Sequence, residues 1–82
     1  MTTSAITEDT AMALHTEAGR YTWPGSFRFY ADTKTGMVGA KGNENGIHQM
    51  SGVRWEHDYD IGYVVGEVFT QTQWYYQRKC AA

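Results

Sequence analysis

The apolar mass of this chain is carried by rings. Three Trp, six Tyr and three Phe stand among 82 residues, while the aliphatic side chains are Ile6, Leu14, Ile47, Ile61 and a scatter of Val. A packed ring buries about 150–250 Å², and a chain this short hides only roughly 60% of the surface its unfolded form exposes. The core must therefore be aromatic, and a core built on so many rings leaves several at the surface, the first pointer to a binding face. Residues 1–82 are read as one small domain, as expected at this length.

Turn chemistry divides the chain. Ile6-Thr7-Glu8-Asp9 begins a helix: Thr7 can cap the first amides, the two acids suit the positive end of the dipole, and Ile6 can staple onto Ala11. Ala11, Leu14 and Ala18 share a face at helical spacing, and Gly19 is the expected stop. Beyond it the pattern is extended. Arg20-Tyr21-Thr22-Trp23 is a candidate strand, followed by a type II turn at Pro24-Gly25. Phe27, Phe29 and Ala31 alternate with Arg28 and Tyr30, then Asp32-Thr33-Lys34-Thr35-Gly36 forms a hairpin loop ending on glycine. Met37 to Lys41 is a short strand, and Gly42 to Gly46 carries the strongest turn signal, an Asn-Gly pair.

From Ile47 the chain alternates again, with Val53, Trp55, His57, Tyr59, Ile61, Tyr63 and Val65 against Arg54, Glu56, Asp58 and Asp60. That exceeds an ordinary strand, so a break is expected near Asp58-Tyr59-Asp60. Tyr63 to Lys79 is rich in Val, Thr and rings, which favours strand. Val64, Val68, Thr72 and Tyr76 also form an i,i+4 stripe, so a C-terminal helix is the competing reading. The expected fold is α+β, a short N-terminal helix packed on a four- to five-stranded antiparallel sheet. The alternative is a small all-β barrel with an N-terminal helix.

Charge and cysteine content narrow the function classes. Seven Lys plus Arg against nine Asp plus Glu give a net charge of −2, unlike a strongly basic nucleic-acid domain. The single cysteine, Cys80, allows no internal disulfide but can pair between chains under oxidation, which leaves a homodimer open. No apolar run reaches the roughly 18 residues of a membrane span, and no charged-then-apolar export signal opens the chain. A cytoplasmic location is expected.

Two candidate partner surfaces follow. Glu56, Asp58 and Asp60 alternate along an extended segment, with Glu67 beyond. On one strand face they would repeat about every 6–7 Å, a row able to occupy the basic groove of a nucleic-acid-handling protein by long-range attraction. The same acids sit at positions one, three, five and twelve of a calcium loop, but position six is Ile61 where the sharp turn needs glycine. No metal site is expected there. Trp74-Tyr75-Tyr76, read as strand, put rings on both faces, and outward Trp and Tyr are interface anchors. Arg28, Tyr30 and Arg54 share the polar side of their strands and could stack unpaired bases. Direct nucleic-acid binding ranks below protein binding because acids flank them.

Catalytic constellations are missing. His48 and His57 could meet across a hairpin near Asp58 or Asp60, but nothing fixes a third ligand. Met50-Ser51-Gly52 lacks the nucleophile-elbow pattern, and the glycines form no phosphate-cradling loop. The expectation is a non-catalytic macromolecule-binding protein without cofactor, most specifically a small protein-binding inhibitor or adaptor. Behind it stand a single-stranded nucleic-acid binder and a small metal-dependent enzyme acting as an oligomer.

Overall fold

The computed structural model describes residues 6–44, 47–56 and 58–80. Its first element, α1 (Glu8–Ala18), starts where Thr7 caps it: the Thr7 hydroxyl accepts from the Thr10 amide at 3.1 Å. Leu14 and Ala18 are buried on one face, and Ile6 is buried ahead of the helix with Ala11 packed against the same core. Gly19 ends the helix in an ordinary right-handed conformation, φ −66°.

Residues 20–23 are not a strand. The Tyr21 amide donates to the Ala18 carbonyl at 3.1 Å, and the Trp23 indole Nε1 donates to the same carbonyl at 3.0 Å. These bonds satisfy the open end of α1, so the segment folds back on the helix. Tyr21, Trp23, Phe29 and Phe69 then form a ring cluster with centroids 4.6–6.1 Å apart. The following turn closes one residue later than expected, from the Phe27 amide to the Pro24 carbonyl at 3.0 Å. Gly25 supplies positive φ (55°) at its first central position.

Strand β1 (Arg28–Ala31) pairs antiparallel with β2 (Met37–Glu44), and β2 with β3 (Ile47–Arg54), giving an open sheet in the order β1-β2-β3. The first hairpin is the loop read from Asp32 to Gly36. The Asp32 carboxylate accepts from the Lys34 and Thr35 amides at 2.8 and 3.3 Å, and Gly36 takes φ 79°. Those two amide bonds, Lys34's first, hold the Asp32 carboxyl below the usual aspartate range. β2 and β3 pair out to Glu44 opposite Ile47, flanking the Asn45-Gly46 pair, which lies outside the described residues.

The last strand expected from the sequence, Tyr63 to Lys79, is instead the competing helix, α2 (Ile61–Tyr75), which runs into a π-helical turn at Tyr76–Cys80. With residues 20–23 also outside the sheet, three strands stand where four or five were expected. Val64, Val65, Val68 and Thr72 are buried along it. Burying each valine contributes about 1.5 kcal/mol or more, which outweighs the few tenths by which β-branching disfavours a helix. α1 lies against β1 and α2, and α2 against β2 and β3, so that both helices share one buried core with Val38 and Ala40 of the sheet. The sheet is open, so the barrel alternative does not hold either. No helix among the described residues is long and apolar enough to cross a membrane.

Candidate functional site

The acidic segment resolves first. Glu56, Asp58 and Asp60 lie in the loop between β3 and α2, all exposed, so they form no row on a strand. The reversal is caused by Asp60 itself. Its Oδ2 accepts from the Tyr63 amide at 2.8 Å and caps α2, which takes the chain out of extended geometry. Asp60→Ala should therefore lower stability by about 1 kcal/mol, a fall of roughly 4–8 °C in melting temperature. Asp60→Asn, which caps equally well, should leave the melting curve nearly unchanged.

The aromatic triplet is likewise split. On a helix, consecutive residues point about 100° apart, so Trp74, Tyr75 and Tyr76 do not share two faces. Tyr75 and Tyr76 turn inward, half-buried, with ring centroids 6.2 and 6.3 Å from Phe27. Trp74 is left outward at 56% exposure, the Arg78 guanidinium 5.1 Å from its ring. With it on the outer stripe of α2 stand Tyr63 (67% exposed), Glu67 and Gln71, at spacings of four, four and three residues.

This stripe borders a groove of about 300 Å³ between α2 and β3. Val53, Val64 and Val68 line its apolar floor, and Tyr59, Tyr63, Asp60 and Glu67 bring rings and carboxylates to it. No cation among the described residues lines it. Gly52 contributes the strand side. β3 is an outer strand of the sheet, and no strand among the described residues lies beyond it. The pairing pattern decides which backbone groups face outward. Trp55 donates to the Gly36 carbonyl at 2.8 Å, so in this antiparallel ladder residues 53 and 55 bond to β2, while Gly52 and Arg54 direct their N–H and C=O away from it. A row of outward backbone groups thus runs beside an apolar, acid-bearing groove.

Arg28, Tyr30 and Arg54 do come together. The register places them with Lys41 on the sheet face opposite the helices, and the Lys41 ammonium is 5.7 Å from the Tyr30 centroid. Partial burial raises the Tyr30 hydroxyl above its usual pKa, with the Asp32 charge adding to the shift.

His15 packs edge-on against Phe29 at 5.3 Å. His57, and the side chains of His48, Ser51 and Cys80, lie outside the described residues. Among those described, no three His, Cys, Asp or Glu side chains gather as a metal site. The groove residues Tyr59, Tyr63, Gly52 and Val53 were not singled out in the sequence. The available signal was the Tyr63-Glu67-Gln71-Trp74 stripe beside the Val64-Val68-Thr72 stripe, visible only once the segment is read as helix. No protein-family model, no curated protein and no solved structure matches the chain.

Proposed function

We propose that this chain is a non-catalytic, cytoplasmic protein-binding domain, an inhibitor or adaptor that takes an extended segment of another protein along β3. One observation carries the reading: the outward backbone row of β3 at Gly52 and Arg54 runs beside the groove against α2. An open strand edge is a template for a further strand, and a partner segment that adds to it gains main-chain hydrogen bonds while every second side chain meets a pocket. Here those side chains would meet the valine floor and then the Asp60 and Glu67 carboxylates. The favoured partner segment alternates apolar residues with Lys or Arg. Tyr63 and Trp74, outward on α2, extend the interface as aromatic anchors.

Selection of a displayed random peptide library on the wild-type chain tests this. Enriched peptides should alternate apolar and basic residues. Glu67→Lys should weaken them about 10-fold or more by placing like charges together, and Tyr63→Ala should weaken them on the order of 30-fold, the usual loss of a tyrosine hot spot. Both side chains are exposed, so melting temperatures should barely move. Selected peptides that bind both variants as tightly as wild type would overturn the proposal.

A further inference from the structure

The sheet face turned away from both helices is a second surface. Its described side chains follow from the register in three rows: Arg28 with Lys41, Tyr30 with Gly39 and Gly52, and Met37 with Arg54. The middle row has no side chain but the tyrosine. A Cβ built on Gly52 would stand 2.8 Å from the Tyr30 hydroxyl, yet Gly52 is two strands away, roughly 10 Å across the sheet. The phenol reaches that far only by lying down across β2 on the glycine floor. One ring face is then turned to the sheet and the other to solvent.

Cations frame this ring. Arg28 donates to the Phe27 and Gly25 carbonyls at 2.6 and 3.3 Å, and Arg54 to the Thr35 carbonyl at 3.1 Å. These bonds hold the guanidinium groups in place without neutralising them, since the partners are uncharged carbonyls. Lys41, exposed, holds its ammonium over the ring, 5.7 Å from the centroid, on a flexible stem that can swing aside to a phosphate. Arg28 and Arg54 begin some 16 Å apart across two rows and two strand spacings, with the ring between them. Of the acids whose side chains are described, Glu8, Asp9, Glu17 and Glu67 lie on the helices, Glu56, Asp58 and Asp60 on the β3–α2 loop, and Asp32 alone beside this face. Asp32, whose charge acts on Tyr30, accepts from the uncharged Lys34 and Thr35 amides and so stays ionised, leaving three cations against one carboxylate here. The chain is acidic in sum and basic on this face.

We infer that this face binds single-stranded nucleic acid, one base stacking on Tyr30 and Arg28, Lys41 and Arg54 meeting the flanking phosphates. A flat ring accepts any base by stacking, and cations on either side track the backbone. A duplex offers no unstacked base, so the site discriminates by strandedness. The inference is independent of the groove, which lies between β3 and α2.

Fluorescence anisotropy with a short labelled oligo(dT) tests it on the intact chain. Wild type should bind at low salt and weaken as salt rises. The triple variant Arg28→Gln, Lys41→Gln, Arg54→Gln should bind at least about 10-fold more weakly, with a log–log salt slope shallower by about 2, at roughly 0.7 for each phosphate no longer neutralised. Tyr30→Leu should cost on the order of 10-fold while leaving the salt slope unchanged. Lys41→Gln alone, an exposed change, should give a partial loss and keeps the test valid if either larger variant folds poorly. No binding by wild type at low salt would overturn the inference. So would undiminished binding by the folded variants, or equal binding of a duplex of the same length.

Discussion

Truncation of Phe27 to alanine is expected to bring the chain to the edge of unfolding. The side chain is completely buried, and removing a buried Phe costs about 3–5 kcal/mol through lost transfer energy and the cavity left behind. At about 0.05–0.15 kcal/mol per residue, a chain of 82 residues has a total stability on the order of 4–12 kcal/mol. The melting temperature should fall by roughly 15–30 °C. The effect should also be felt at a distance. Phe27 is the ring on which Tyr75 and Tyr76 rest, and that packing turns Trp74 outward. Near-ultraviolet circular dichroism should lose aromatic signal, and Trp74 fluorescence should change before global unfolding. Full stability in Phe27→Ala would contradict the packing described.

Gly42→Ala is the second large effect, and it meets the same ring from the other side. Gly42 faces Phe27 across the continued β1–β2 register, and a Cβ there would stand 2.5 Å from Phe27 Cδ1 and 2.8 Å from its Cα. Pairing continues past this point, since the Asn43 amide donates to the Ser26 hydroxyl at 2.9 Å, so the strands cannot easily part. Alanine normally gains about 0.5–1 kcal/mol over glycine in a strand. Overpacking costs about 1–3 kcal/mol or more and wins here, because one of the clashing atoms is backbone. A melting temperature lower by roughly 10 °C or more is expected. The two changes are coupled. In a Phe27→Ala background the ring is gone and the new methyl presses on backbone alone, so Gly42→Ala should cost less there than in wild type. Additive losses would show that the ring does not press on Gly42.

These two residues also show how far the sequence could be read. Phe27, Phe29 and Ala31 alternate as an inward face should, and the Asp32–Gly36 hairpin and the Thr7 cap are local chemistry within a few residues. All three are in the structure as read. What stayed hidden depends on distant partners. The Val64-Val68-Thr72-Tyr76 stripe offered a helix and the β-branched and aromatic composition a strand, and nothing local decided between them. The choice is made by a sheet that covers one helical stripe and by Asp60, whose carboxylate serves as a cap. Arg20 to Trp23 looked extended because its rings favour strands, but the Trp23 indole spends its N–H on the end of α1.

The candidate sites divide along the same line. Arg28, Tyr30 and Arg54 were legible as one face because strand alternation is a local property, and the register adds Lys41. The acidic row and the aromatic triplet were misplaced because each depended on an extended backbone that the chain does not keep. Two of their members, Asp60 and Glu67, reappear in the groove beside β3. Trp74 stands further along the same helix, on its outer stripe.

We propose this strand edge as the place where the chain takes its partner. Residue-resolved hydrogen exchange of the isotope-labelled chain, with and without the tightest library-selected peptide, addresses it most directly. Without peptide the Gly52 and Arg54 amides, directed away from β2, should exchange quickly, while Val53 and Trp55 are protected. With saturating peptide, Gly52 and Arg54 should gain protection of at least about 10-fold, alternating with unchanged neighbours as a new strand requires. Peptide bound at saturation with both amides still exchanging at their original rates would rule out strand addition at β3.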